Sequence, residues 1–157
     1  MTAGDEVQLV TFRLGRQEFA FSIFQVERVL RYQPPDPLPK APPFLEGIVA
    51  YADRVVPVVD LRKRLGLPAP VGDETRIVIL DLDQGGIGVT VDAVLEVLRV
   101  AAERVMPPAP IVRGLAAEYI SGIVREGERT IVVLAPAKLL SSTERLALDQ
   151  FKVEASP

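Results

Sequence analysis

The second half of the chain repeats the first. A shift of 68 positions lays Val26, Val29, Leu30 and Arg31 on Val94, Val97, Leu98 and Arg99, and residues 8–14 on 76–82. A shift of 75 lays Gly47-Ile48-Val49 on Gly122-Ile123-Val124, Arg54 on Arg129, Val58 on Val133, Lys63 on Lys138 and Leu65 on Leu140. The offset changes within a proline-rich connection, where insertions are tolerated. Val10, Phe12 and Leu14 alternate with Thr11 and Arg13, and Phe19, Phe21 and Ile23 alternate with Ala20 and Ser22. That period of two is the mark of a half-buried hairpin, turning here at Gly15-Arg16. The order predicts a mainly β chain of two related five-stranded units in tandem. Strand sets this short lose their open edges by curling into small barrels, and the long period argues against a solenoid. Two small β-barrels sharing a buried junction are therefore expected within a single domain of residues 1–157. The first spans about 7–70 and the second about 73–141, with strand exchange between them left open and a C-terminal helix at about 142–151.

Local signals fill in the elements. Val26, Val29 and Leu30 fall at helical spacing, as do Val94, Val97 and Leu98, predicting a short amphipathic turn in each half. Six prolines within residues 34–43 forbid a regular element, so an extended loop packed through Leu38 and Phe44 is expected. Residues 47–51 and 55–59 read as strands about a turn at Ala52-Asp53-Arg54. Asp60 caps a brief helix ending at Gly66, with Pro68 beyond it. In the second half, residues 76–82 and 87–91 are strands about Gly85-Gly86, and a second proline-rich stretch covers 107–110. Residues 120–124 and 130–134 form a hairpin about Gly127. Pro136 opens a short helix where its missing N–H costs nothing. Ser141 and Glu144 stand at capping-box spacing ahead of the final helix, which carries Leu146, Ala147 and Phe151.

Chemistry is scarce. The 157 residues include no His and no Cys, which removes the commonest general base, imidazole and thiolate metal ligands, disulfides and every histidine-assisted nucleophile. Ser121, Ser141 and Ser142 thus lack a partner base. Asp81, Asp83 and Asp92 are weighed as a site for a hard cation, against a reading in which Asp81 and Asp83 solvate a hairpin turn and Asp92 caps a short helix. Gly86-Ile87-Gly88 resembles the start of a dinucleotide loop but has no third glycine and no long helix after it. Arg62-Lys63-Arg64 reads as a solvated helix face rather than an anion site. A net charge of −3 and strands poor in aromatics disfavour nucleic acid. The start, MTAGDE, is unlike a signal peptide, and no apolar run is long enough for a membrane span. A cytoplasmic, non-catalytic binding module without cofactor or metal, and without direct membrane insertion, is the expectation. Apolar residues at the barrel rims and junction are its partner sites.

Several segments resemble those of CheW, the chemotaxis coupling protein family. Pro39, Pro42, Phe44-Leu45-Glu46-Gly47 and Val55-Val56-Pro57-Val58-Val59-Asp60-Leu61-Arg62 look like its proline–hydrophobic–glycine and PVxDLR signatures. Gly88-Val89-Thr90-Val91-Asp92-Ala93-Val94 with Glu96-Val97-Leu98 resembles its GxxVDxVxEVL segment, and Tyr119-Ile120-Ser121-Gly122-Ile123 with Lys138-Leu139-Leu140 its closing strands and helix. The resemblance covers residues 7–141. It implies two five-stranded barrels related by pseudo-twofold symmetry, and an adaptor that links the cytoplasmic tips of methyl-accepting chemoreceptors to the regulatory domain of a CheA-type histidine kinase at receptor arrays. It further implies a receptor-binding groove lined by Val10, Ile23, Val26 and Val29 on one wall and Val97 and Leu98 on the other, and a kinase-binding face at Phe44, Gly47, Val55 and Pro57. By the same resemblance Val26→Glu abolishes receptor binding and leaves the fold intact. The chain departs from the family at Ala50-Tyr51-Ala52-Asp53, where Asn-Leu-Arg-Gly is usual, so the arginine associated with receptor contact is Ala52. Arg54 points to the opposite face of a regular strand. The alternative is a CheW-type scaffold of a divergent pathway, such as pilus motility or gene regulation.

Overall fold

The computed structural model describes residues 5–82, 85–107, 119–141, 143–144 and 146–148. Asp83, Pro108, Pro110, Ser142, Phe151 and part of the helix expected at 142–151 lie outside the described residues. Ten strands are present: β1 (Glu6–Leu14), β2 (Gln17–Ser22), β3 (Val26–Arg31), β4 (Leu45–Tyr51), β5 (Arg54–Asp60), β6 (Arg76–Leu82), β7 (Gly85–Val91), β8 (Ala93–Ala101), β9 (Ile120–Glu126) and β10 (Arg129–Leu134). A four-residue helix, α1 (Leu61–Arg64), follows β5, and single 3-10 turns occur at Ile23–Gln25, Ala102–Arg104 and Pro136–Lys138.

The strands form two five-stranded sheets ordered β8-β1-β2-β10-β9 and β3-β6-β7-β5-β4. Under the internal repeat β1–β5 correspond to β6–β10, so the two orders are one order used twice. Each sheet takes its central hairpin from the other half of the sequence. A contiguous division at 7–70 and 73–141 therefore does not coincide with the sheets. The linkers are the physical reason: the short turn Ile23–Gln25 carries the chain from β2 into the other sheet, and Asp92 alone does so between β7 and β8. Parallel pairs join the exchanged hairpins to their hosts, β2 with β10 and β7 with β5.

The helical spacing at Val26 and Val94 is a false signal, since both segments are strands. The register of β3 on β6 shifts between Val26 and Arg28, and that of β8 on β1 shifts beside Thr11 and Phe12, passing over Leu95. An extra residue resets the alternation of faces. Val26 and Val29 thus both oppose central-core positions, Leu80 and Val78, and Val94 and Val97 oppose Phe12 and Val10. Three-residue spacing on one face of a bulged strand imitates a helix. Gly85 and Gly86, expected in the turn, pair within the ladder to Leu82 and Asp81.

Burial follows strand parity. Phe12, Leu14, Phe19, Phe21, Val78, Leu80, Val132 and Leu134 fill one central cluster between the sheets, with Phe12 stacked on Phe21 at 4.8 Å between ring centroids. The intervening residues form a separate buried cluster on the other face of each sheet: Leu9, Ala20, Ile131 and Val133 in one, Val56, Val58, Ile77 and Ile79 in the other. Continuous apolar runs such as Ile77-Val78-Ile79-Leu80 are thus strands buried on both faces. The outer edges meet at single bridges, Asp36 to Ile48 and Met106 to Ile123, each with two N–H···O bonds of 2.8–3.0 Å. The repeat-matched glycines have their reason here. A Cβ on Gly47 would sit 2.5 Å from the carbonyl oxygen of Asp36, and one on Gly122 would sit 2.6 Å from Val105 Cγ1.

The extended proline loop is present, with Leu38 and Phe44 half-buried. Pro136 opens its 3-10 turn. The capping box forms: Glu144 N–H donates to Ser141 Oγ at 3.1 Å, and Ser141 N–H donates to Glu144 Oε1 at 2.9 Å. Residues 143, 144 and 146–148 are helical. Leu148, rather than Leu146, enters the core, and Leu146 is exposed.

Candidate functional site

The edge strands β3 and β8 run beyond the central core, and their core-side faces emerge into solvent. Val97 pairs with Val10 across β8 and β1, Val29 pairs with Val78 across β3 and β6, and the two valines are 51% and 38% exposed. Val10 is nearly covered beneath Val97. Val26 and Ile23 are half-buried, and Val26 packs on the central cluster. Leu98 lies on the opposite face of β8, against Leu9 and the sheet interior, so parity separates it from Val97. Phe24, in the turn between the sheets, is 89% exposed. A lone aromatic in a three-residue linker has no period, so nothing in the sequence pattern marks it. Val26→Glu would place a charge against the core, so Val97 and Val29 are the cleaner positions to perturb.

The β4–β5 turn reaches toward the same edge. Ala52 and Asp53 have φ of 49° and 62°, the left-handed pair of a two-residue hairpin. Asp tolerates that geometry and Ala does so at a cost. Arg54 opens β5, lies over the Tyr51 ring at 5.2 Å and forms an ion pair with Glu27, the bulge residue of β3. The hydrogen bond from Arg54 lowers the Glu27 pKa and correspondingly raises that of the arginine. The repeat-matched Arg129 pairs with Glu18 at 2.7 Å and Glu96 at 2.9 Å.

Of the residues carried over for a second face, Val55 is 60% exposed while Pro57 and Gly47 are buried. Register places Ala50 opposite Val55 and Ile48 opposite Pro57. These four share the outer face of the hairpin, because Val49, Val56 and Val58 point into the sheet interior. The matched hairpin β9–β10 carries Arg125 and Thr130 at the same places, hydrogen-bonded at 3.1 Å. The pair nearest the turn is thus apolar in one half and polar in the other, while Ile48 and Pro57 are matched by Ile123 and Val132. Phe44 lies apart, under the Arg64 guanidinium at 5.8 Å. It borders a cleft of about 580 Å³ lined also by Glu46, Lys63, Arg64, Glu144 and Ala147. Lys63 pairs with Glu46 at 2.9 Å and Arg64 with Glu144 at 2.8 Å.

Behind these surfaces lies a buried polar clasp. Asp60 caps α1 through Arg62 N–H at 3.0 Å and Lys63 N–H at 3.4 Å, as expected. Arg62, expected on a solvated face, is 1% exposed. Its guanidinium donates to both Asp60 oxygens at 3.0 and 2.9 Å, to Asp92 Oδ1 at 2.9 Å and to the Pro70 carbonyl. Burial opposes its charge, but the hydrogen bonds it donates to Asp60 and Asp92 outweigh this and raise its pKa. Asp92 caps no helix, since β8 follows directly. Its Oδ2 instead accepts Gly15 N–H at 2.6 Å, tying the β1–β2 turn of one sheet to α1 of the other. The Arg62 guanidinium is thus the counter-charge to both carboxylates. No cluster of three metal-binding side chains occurs among the described residues, and no described helix is long and apolar enough to cross a membrane.

Comparison with known proteins matches this architecture throughout. The family model described as "CheW-like domain" matches residues 8–144. The chain is 36% identical over 150 residues to the chemotaxis protein CheW of Treponema pallidum, covering 92% of this chain and 88% of that one. It is 30% identical over 149 residues to protein FrzA of Myxococcus xanthus, covering 93% and 92%. The crystal structure of the scaffolding protein TtCheW from Thermoanaerobacter tengcongensis superposes with a TM-score of 0.80 at 27% identity, over 88% of this chain and 90% of that one.

Proposed function

The chain belongs to the CheW-like family, and from that premise we propose that it is a non-catalytic adaptor coupling chemoreceptors to a CheA-type histidine kinase. The observation that carries the reading is the pair of separate apolar surfaces on one rigid core. The core-side faces of β3 and β8, with Val29 exposed opposite Val78 and Val97 exposed opposite Val10, suit the apolar stripe of a helical hairpin such as a receptor tip. The outer face at Ile48, Ala50, Val55 and Pro57 suits a second β module, the regulatory domain of the kinase. Two partners held at once by one small protein is what coupling requires, and repetition in an array strengthens moderate contacts. The array brings the adaptor to the inner face of the membrane without any segment of its own entering the bilayer.

A divergent pathway is the second reading, favoured by Ala52 in place of the family's turn arginine and by the likeness to FrzA. Arg54 bears on it directly. Its ion pair with Glu27 puts a guanidinium beside β3 despite the changed turn. Calorimetric titration against the kinase regulatory domain and against a receptor tip tests both readings. Binding to both supports coupling. Kinase binding alone supports a scaffold rewired to another input, and binding to neither overturns the proposal.

A further inference from the structure

Beyond Val29 and Val97 each edge strand ends its exposed face on an arginine. Arg31 and Arg99 occupy matched repeat positions, two residues past the valines and therefore on the same strand face. Both are exposed, and neither side chain makes a hydrogen bond or ion pair among the described residues. Arg54, Arg62, Arg64, Arg104 and Arg129 are all paired with carboxylates. Arg31 also stands directly opposite Arg76 in the β3–β6 register, a like-charge placement that weakens a sheet. Arg76 spends its guanidinium on the carbonyls of Asp73 and Thr75, which leaves Arg31 unneutralised. On a chain of net charge −3, two matched cations beside an apolar strip define a local field opposite to that of the whole.

We propose that Arg31 and Arg99 select the docking partner by charge, taking carboxylates that flank the apolar stripe of the helical segment seated on Val29 and Val97. This rests on the receptor-docking reading above and adds which segments that surface accepts. An acidic flank relieves the Arg31–Arg76 repulsion and pairs both arginines at the rim. A neutral or basic flank leaves them facing solvent. Rim charges of this kind act chiefly on association rate and partner choice.

The test uses the full chain and two receptor-tip helical hairpins with the same apolar stripe, one flanked by glutamates and one by glutamines. Binding is measured at low and at physiological ionic strength, where exposed pairs are increasingly screened. Arg31→Gln with Arg99→Gln, at exposed sites that leave the fold unchanged, is expected to weaken the glutamate hairpin by about tenfold at low salt. The variant also loses most of the salt dependence, and binds the glutamine hairpin as the unmodified chain does. Equal affinity and equal salt dependence for the glutamate hairpin overturn the charge selection while leaving the docking reading standing. Failure of the unmodified chain to bind either hairpin overturns both.

Discussion

Arg62→Met removes the clasp and leaves its two carboxylates in place. The substitution keeps an unbranched apolar stem but deletes the donors to Asp60, Asp92 and the Pro70 carbonyl. Asp60 keeps the two backbone N–H groups of its helix cap and Asp92 keeps Gly15 N–H, so neither is stranded, yet both lose their counter-charge. Their side chains are 8% and 14% exposed and that of Arg62 is 2% exposed, so water replaces little of what is lost. Breaking a buried pair from one side costs about 3–5 kcal/mol, a large share of the roughly 5–15 kcal/mol that holds such a domain together. In a chain of this size that lowers the melting temperature by roughly 6–20 °C. Urea denaturation reads it as a fall in midpoint at unchanged slope. Lys63→Met is the comparison, because its side chain is 59% exposed and pairs with Glu46 at the surface, and about 0.5 kcal/mol is expected. Adding Asp60→Asn and Asp92→Asn to Arg62→Met recovers part of the loss by removing the uncompensated charges. An Arg62→Met protein within about 1 kcal/mol of the unmodified chain would refute the clasp, since that is the behaviour of a solvated residue.

Three further outcomes follow from the geometry. Gly47→Ala and Gly122→Ala each place a Cβ against a bridging segment, so each costs about 2 kcal/mol or more through overpacking, read as a lower denaturation midpoint. A control Ala at the open turn position Gly127, φ 63°, loses only about 1 kcal/mol. Replacing Ala52-Asp53 by Asn-Gly suits the left-handed pair and raises stability by about 1 kcal/mol, while a fall would contradict the turn. The hydrogen bond from Arg129 draws the Glu18 pKa below its ordinary 4.5. Its stabilising contribution is therefore complete above that value and is lost as pH falls through the lowered one. Glu18→Gln should flatten the acid limb of a stability–pH curve and leave the neutral region parallel to that of the unmodified chain. An unchanged acid limb would show the pair to be idle.

The repeat made the fold legible, because strand parity, turn glycines and the matched Gly47 and Gly122 are all local or periodic. Which hairpin joins which sheet was not legible. That choice is set by the short linkers at Ile23–Gln25 and Asp92, which carry no pattern of their own. Bulges at Glu27 and Leu95 shifted the alternation and gave β3 and β8 the spacing of helices. The same effect divides the expected groove residues: Val29 and Val97 are exposed on it, and Leu98 turns inward. Arg62 was misread for a related reason. A basic run on a short helix looks solvated until tertiary structure brings Asp92 from 30 residues away in sequence. Ile48 and Ala50 entered the second face through register alone, which no single-strand pattern contains.

The central claim is that two separable surfaces couple two partners. A reconstituted assay of receptor-controlled kinase activity, run with Val97→Glu and Val55→Glu proteins whose folding is checked by denaturation, tests it most directly. Val97→Glu is predicted to keep kinase binding and lose receptor binding, Val55→Glu to do the reverse, and both to abolish receptor control. Receptor control that survives both substitutions, or a single substitution that removes both partners from a folded protein, would contradict it.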